Sequence, residues 1–244
     1  MTPGTNRGGS APQVAPEQVR TMFDQIARFY DLLNTVLSGG RDAAWRRRAA
    51  QATGLRDGDT ALDVCTGTGK LARLLERRVG PRGTVIGVDF STAMLDVARA
   101  HVAAVDFREG DATTLQGIDD SSVDAVTVAF GLRNVADRPA AMRAALRVLR
   151  PGGRCVILEF AHVDVPLFGR VYAWYLTRVL PFAGRLLNPR SGAYSYLPRS
   201  IAAYPPAAEV SAELRDAGFD GVRVTRMTLG IVTLHVATRP SPLR

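Results

Sequence analysis

Three aspartates and one glycine-rich turn are the residues of this 244-residue chain best placed to do chemistry. Asp63-Val64-Cys65-Thr66-Gly67-Thr68-Gly69 lies where an apolar run, Thr60 to Cys65, gives way to a helical pattern from about Gly69 to Arg78. Glycines at such a junction let the backbone approach a ligand, and the first turn of a helix offers unpaired N–H groups. Asp89 ends the next apolar run, Thr84 to Val88, where a carboxylate can accept both hydroxyls of a ribose. Asp111 ends the third, Val105 to Glu109, and with Ala112 it can meet an adenine edge through a side-chain acceptor and a backbone N–H. Any one aspartate could merely cap a loop. Three at successive strand ends fit one ligand crevice better, because open α/β sheets bind ligands at the carboxyl ends of their strands.

Gly67-x-Gly69-x-x-Ala72 also fits a dinucleotide-binding fingerprint, a weak signal by itself. Two features point elsewhere. Asp63 to Thr66 displaces the glycines from the strand, whereas a pyrophosphate loop turns at the strand end, and no separate substrate domain follows the nucleotide half. S-adenosylmethionine has no phosphates and relies on acids for its ribose and amino group. Asp63, Asp89 and Asp111 supply that acidity, with Gly67 at the turn, so adenosylmethionine is the expected cofactor.

The elements that must position these residues follow from periodicity. Val19, Met22, Phe23, Ile26, Tyr30 and Leu33 have the spacing of an amphipathic helix, interrupted at Gly39-Gly40, and a second helix is expected from Asp42 to Gln51. Beyond the three strands above, Ser91 can N-cap a helix ending near Val102. Val123 to Phe130 is apolar enough to be buried on both faces. A helix from Arg138 to Leu149 is expected to stop at Arg150-Pro151-Gly152-Gly153, before a fifth strand from Arg154 to Phe160. A helix over Ala207 to Ala217 and an antiparallel pair, Val222 to Met227 and Ile231 to Thr238, close the pattern. The expectation is a doubly wound α/β fold: a mostly parallel, seven-stranded sheet with an antiparallel C-terminal pair. Residues 1–18 are expected to be a disordered tail, 19–51 a helical cap, and 52–244 the main domain with a helical insertion at about 162–206.

Composition narrows the class. Hydrophobic residues make up 46%, enough for a full core, and no apolar run approaches the ~20 residues of a membrane span. The N-terminal Gly/Pro/Ser/Ala-rich residues lack a signal-peptide core. Cys65 and Cys155 sit in apolar strand-like runs and suit free thiols of a reducing, cytoplasmic setting. The net charge of +8 allows nucleic acid or an anionic membrane as partner. A nucleic-acid binder should carry a clustered basic stripe or a recognisable module, and neither is present. Arg46-Arg47-Arg48 is the one basic cluster, expected to be a solvated face. Three histidines and no Cys/His cluster argue against a metal site.

More specific residues remain. Met22-Phe23-Asp24-Gln25-Ile26-Ala27 with Tyr30-Asp31-Leu32-Leu33-Asn34, then Phe130-Gly131-Leu132-Arg133-Asn134 and Leu149-Arg150-Pro151-Gly152-Gly153, resemble the ubiquinone/menaquinone C-methyltransferase family. So do Tyr194-x-Tyr196-Leu197 with Ser200-Ile201, and Gly230-Ile231-Val232-x-Leu234-His235. The Pro-Gly-Gly element is common to many methyltransferases; Phe-Gly-Leu-Arg-Asn combined with the N-terminal element is restrictive. The resemblance covers about Val19 to Thr238. It implies a class I methyltransferase fold and methyl transfer from adenosylmethionine to a ring carbon of a prenylated quinol, first of all demethylmenaquinol to menaquinol. It carries over Thr68, Asp89 and Asp111-Ala112 as cofactor contacts. This chain departs from many relatives at Lys70, where they have Asp, and at Ala129, where they have Ser.

Methylating a ring carbon needs an electron-rich ring, so Arg133 is the candidate to stabilise a phenolate-like oxygen; the alternative is a surface ion pair with Asp137. Tyr30 and Asp31 could reach the site from the N-terminal helix, or could pack and cap it. His162 lies near the crevice mouth or on an exposed loop, and His235 is expected to be structural. The aromatic, Arg-punctuated stretch from Phe160 to Leu187 could line a prenyl pocket or touch the inner face of the membrane, or could pack on the sheet or form a homodimer contact. Another small aromatic acceptor, or less readily RNA, is the competing substrate on the same fold.

Overall fold

Short β-branched runs separated by helices build one sheet in the computed structural model, which describes residues 17, 20–25, 27, 35, 38–161, 163, 174, 178 and 193–241. Its strands are β1 (Thr60–Val64), β2 (Thr84–Asp89), β3 (Asp106–Glu109), β4 (Val123–Ala129), β5 (Leu149–Phe160), β6 (Asp220–Met227) and β7 (Val232–Thr238). Their spatial order is β3-β2-β1-β4-β5-β7-β6. The first five run parallel, and β7 lies antiparallel between β5 and the outer strand β6. This is the expected doubly wound sheet with its antiparallel pair.

Helices α1 (Asp42–Ala52), α2 (Ala72–Val79), α3 (Thr92–His101), α4 (Arg138–Val148), α5 (Ala193–Ala203) and α6 (Ala207–Asp216) surround it. Alternation along β5 separates two cores. Val156, Leu158 and Phe160 face a core with Trp45, Leu71 and Leu95, while Cys155 and Ile157 face one with Met142, Val210 and Leu214. Successive strand side chains point to opposite faces, so a sheet covered on both sides needs apolar residues at nearly every position. After β1 the chain winds one way to β2 and β3; β4 returns to the other flank of β1. That reversal opens a crevice at the carboxyl ends of β1 and β4.

Caps place the helices that frame the crevice. Ser91 Oγ accepts from Met94 N at 3.2 Å and starts α3, as its position in the sequence suggests. Asp137 Oδ1 accepts from Ala140 N at 2.8 Å and starts α4.

Several boundaries and one surface differ from the sequence reading. α2 begins at Ala72, because Gly69 takes φ +78° and a side chain there would press on Phe107 Cζ at 2.9 Å. α4 ends at Val148, and Leu149 is already extended, so β5 includes the Pro-Gly-Gly element. Its register slips between Val123 and Ala125, which lets Arg150 to Gly153 bulge from the ladder with β4. β6 starts at Asp220, before the expected Val222. Arg46 is not on a solvated face: Asp42, Trp45, Arg46, Ala49 and Ala50 form the buried stripe of α1, and only Arg47 and Arg48 of the triplet are exposed. Of the expected tail over 1–18 only Glu17 is described, and it is helical; the rest of that tail, most of the Phe160 to Leu187 stretch, Tyr30, Asp31 and His162 lie outside the described residues.

Candidate functional site

A cavity of about 630 Å³ opens at the carboxyl ends of β1 to β4. Asp89 forms its centre. Its Oδ2 accepts from Gly67 N at 2.8 Å and its Oδ1 from Ser91 N at 3.0 Å, so one carboxylate ties the glycine turn to the start of α3. Burial raises its pKa to about 6; the backbone donors from Ser91 and Gly67 oppose that rise, and the nearby Asp24 adds to it.

Asp63 is fastened more deeply. Thr127 Oγ1 donates to its Oδ1 at 2.6 Å and Thr66 Oγ1 to its Oδ2 at 2.8 Å, which links the glycine turn to β4. Burial also brings this carboxyl to about 6, against the pull of the two threonines and of Arg46. Asp63 therefore organises the turn rather than lining the cavity. Asp111 does line it, and its Oδ1 accepts from Thr113 N at 2.8 Å, setting the turn that presents Ala112. Gly67 is a wall residue; Thr68 is buried and is not.

Helical residues 20–25 belong to the expected N-terminal cap and form a roof over this cavity, where Arg20 and Phe23 line it. Phe23 meets Phe90 edge-on with ring centroids 6.1 Å apart. Arg20 Nη2 pairs with Glu109 at 2.7 Å, and Ser91 Oγ donates to Asp24 Oδ1 at 2.5 Å. The roof is thus tied to the loops that carry Asp89 and Asp111.

On the β4 side, Cys65 holds φ 54° and its Cβ would lie 2.3 Å from any Cβ added at Gly131. Only glycine permits this approach of the β1 and β4 turns. Arg133 follows. Its Nη1 meets Glu159 Oε1 at 2.7 Å and the Phe130 carbonyl at 2.5 Å, and its backbone N donates to Glu159 Oε2 at 3.2 Å. Both side chains are buried, at 3% and 0% exposure. The carboxylate it meets is thus Glu159, inside the protein, while Asp137 is engaged at the start of α4. Neighbouring Gly131 and Asn134 line the cavity, and Tyr196 OH donates to Asn134 Oδ1 at 2.9 Å. Burial raises the Tyr196 phenol above its ordinary range.

An aromatic pair stands between two arginines. Phe130 and Phe160 lie tilted at 36° with centroids 4.7 Å apart; the Arg46 guanidinium carbon lies 5.0 Å from the Phe130 centroid and that of Arg133 5.5 Å from the Phe160 centroid. Sequence reasoning missed Arg46 and Glu159. Helical spacing from Trp45 and Ala49 would have put Arg46 on the buried stripe, and Glu159 is the one acid in the apolar run Arg154 to Phe160. His235 is structural as expected: it is buried, and its Nε2 lies 3.1 Å from the Ala207 carbonyl. Among the described residues no group of His, Cys, Asp and Glu could hold a metal ion.

The model of the ubiE/COQ5 methyltransferase family matches residues 12–239. A demethylmenaquinone methyltransferase of Thermus thermophilus is 45% identical over 223 residues, covering 90% of this chain and 100% of that protein. The ubiquinone/menaquinone biosynthesis C-methyltransferase UbiE of Ectopseudomonas mendocina is 40% identical, over 92% of this chain and 90% of its own length. Among solved structures, a SAM-dependent methyltransferase of Thermotoga maritima, described as a possible histamine N-methyltransferase, aligns with a TM-score of 0.62 at 19% identity. That alignment covers 90% of this chain and 99% of the other, and shows the shared fold.

Proposed function

The chain belongs to the ubiE/COQ5 methyltransferase family, and from that premise we propose that it transfers a methyl group from S-adenosylmethionine to a ring carbon of a polyprenyl quinol, turning demethylmenaquinol into menaquinol. The observation that carries the cofactor reading is the charge of the cavity wall. Glu17, Asp89, Glu109, Asp111 and Asp137 line it against Arg20, which Glu109 already engages. Such a wall repels a pyrophosphate and suits a cationic nucleoside. The volume lies within the ~300–1,000 Å³ of small-molecule sites.

Bound adenosylmethionine supplies the methyl as an activated sulfonium. Asp89 would accept from the ribose hydroxyls, its carboxylate held still by Gly67 and Ser91. Asp111 and Ala112 would meet the adenine edge beside Phe23 and Phe90, which also line the cavity. Thr68 supports the turn from behind. On the acceptor side Arg133 is not itself a lining residue; from behind Gly131 and Asn134 its guanidinium is proposed to favour the quinol oxygen as it gains phenolate character, which promotes attack by the ring carbon. Glu159 offsets much of its charge, so what Arg133 provides is a positioned guanidinium rather than a free cation. Tyr30, outside the described residues, is proposed as a second catalytic residue. Most acceleration comes from alignment, because the methyl donor is already reactive.

The acceptor is read as a naphthoquinol on the strength of the Thermus relative's name. Mass spectrometry after incubation with adenosylmethionine and chemically reduced demethylmenaquinol analogue tests it. A methylated naphthoquinol is the expected product; methylation of a demethyl-benzoquinol alone would reject this acceptor.

We also propose a cytoplasmic location with weak contact at the inner face of the membrane, where such a quinol resides, and a homodimer as the solution state. Support for the membrane contact comes from Trp174, which is 60% exposed within the aromatic stretch. No helix among the described residues is long and apolar enough to cross a bilayer.

A further inference from the structure

The side-chain amide of Asn134 is bonded on one edge and open on the other. Tyr196 OH donates to its Oδ1 at 2.9 Å. Among the described residues no group accepts from its Nδ2, and Asn134 is part of the cavity wall. The backbone beneath it is fixed as well: Asn134 N donates to the Gly131 carbonyl at 2.9 Å, in the short 3-10 turn Leu132–Asn134 that follows β4.

Tyr196 is held in its turn. It stands on α5, packs against the roof cluster of Phe23 and Met94, and reaches a residue 62 positions away in the sequence. Burial raises its phenol above the ordinary range, against the pull of Arg133, so the hydroxyl keeps the proton that it donates. An asparagine amide carries its acceptor oxygen on one edge and its two N–H donors on the other. With the oxygen engaged by Tyr196, both donors are left for the cavity. A quinol hydroxyl that is losing its proton needs donors, and Arg133 is not a wall residue but engages Glu159 and the Phe130 carbonyl. Were the amide turned over, its oxygen would face the developing phenolate and repel it.

We propose that Tyr196 is a positioning residue for methyl transfer: through Oδ1 it turns the Asn134 amide so that Nδ2 donates to the quinol oxygen. The inference rests on the acceptor reading above.

Steady-state kinetics on the full chain, with adenosylmethionine and a reduced demethylmenaquinol analogue, test this. Tyr196→Phe keeps the ring on the roof and removes the donor. It should lower kcat roughly 3- to 10-fold, the value of one hydrogen bond, with quinol KM and adenosylhomocysteine affinity within about twofold. Asn134→Ala should cost more. Adding Tyr196→Phe to it should cost nothing further, because the group through which Tyr196 acts is already gone. Asn134→Asp still accepts from Tyr196 but puts an oxygen where Nδ2 was, and should be at least as damaging as Asn134→Ala. Parental kcat in Tyr196→Phe, an equal loss from it in both backgrounds, or a matching fall in adenosylhomocysteine affinity would overturn the role of Tyr196. Parental kcat in Asn134→Asp would overturn that of the amide. A parental protein that methylates no quinol would overturn the acceptor reading and this inference with it.

Discussion

The guanidinium of Arg133 and the carboxylate of Glu159 sit 2.7 Å apart where solvent reaches neither. Breaking one half of such a pair leaves a bare charge inside the protein at a cost of about 3–5 kcal/mol, whereas removing both halves together costs far less. Arg133→Ala should therefore lower the midpoint of urea unfolding sharply, and Arg133→Met with Glu159→Gln should restore most of it. Catalysis should not return with stability. Each folded variant lacking the guanidinium should bind adenosylhomocysteine near-normally yet lose about 10²–10³ in turnover on reduced quinol. Parental turnover in the double variant would make Arg133 a purely structural residue.

Asp89 and Asp63 give the fold and the cofactor opposite pH demands. Each carboxyl titrates near 6 in the folded protein, against 3.8 ordinarily, because burial penalises its charge. The folded state thus holds these protons more tightly than the unfolded chain. The associated stability is present below pH 3.8 and is lost as pH rises to about 6, on the order of 3 kcal/mol for each site. Ribose hydroxyls donate to the ionised form of Asp89, so adenosylhomocysteine affinity should rise over the same window. Asp89→Asn should flatten the affinity profile and remove only the Asp89 share of the stability profile, leaving that of Asp63, and Asp89→Ala should cost about 1–3 kcal/mol of binding at neutral pH. Calorimetry from pH 5 to 7 that finds constant affinity in the parental chain would reject the assignment.

Gly131 and Cys65 should show a reciprocal genetic relationship. An alanine Cβ at 131 would meet Cys65 Cβ at 2.3 Å and Sγ at 2.9 Å, but its Cα only at 3.7 Å, an ordinary contact. Gly131→Ala should therefore destabilise the chain by about 1–3 kcal/mol and distort the cavity wall. Cys65→Gly in the same chain removes both offending atoms at a residue whose φ of 54° suits glycine. The double variant should recover cofactor binding; a double variant no better than Gly131→Ala alone would place the strain elsewhere.

Membrane contact has a salt signature. If exposed arginines and Trp174 meet anionic headgroups, co-sedimentation with phosphatidylglycerol vesicles should be strong at low ionic strength. It should fall once salt shortens the screening length to ~10 Å at 0.1 M. Absence of the protein from the vesicle pellet at low salt would assign the aromatic stretch to packing or to a dimer contact.

What could be seen beforehand divides along physical lines. Strand and helix order follows from local periodicity, and the places of Asp89, Asp111 and the Ser91 cap follow from strand ends, so these were legible in the residues. The partner of Arg133 was not. Arg133 and Glu159 are 26 positions apart and meet only because β4 and β5 lie side by side, which no local pattern encodes. Arg46 was misjudged for a different reason. Three consecutive arginines suggest a charged surface, yet 3.6-residue periodicity carries the first of them onto the buried stripe with Trp45 and Ala49. The role of Asp63 was hidden because Thr127, its second hydroxyl partner, comes from a strand formed 64 residues later.

The outer strand β6 has a bearing on how these molecules meet one another. It closes the sheet beyond β7, and Arg223 and Arg226 are exposed along it. An open strand is a template for indefinite stacking of copies, and like charges along it set two approaching edges against each other. Colloidal stability is therefore written into an outermost strand of the sheet. Replacing both arginines with valine would leave a β-prone ribbon whose growth nothing interrupts, and the protein would be expected to leave solution as fibrous aggregate long before its cores loosened.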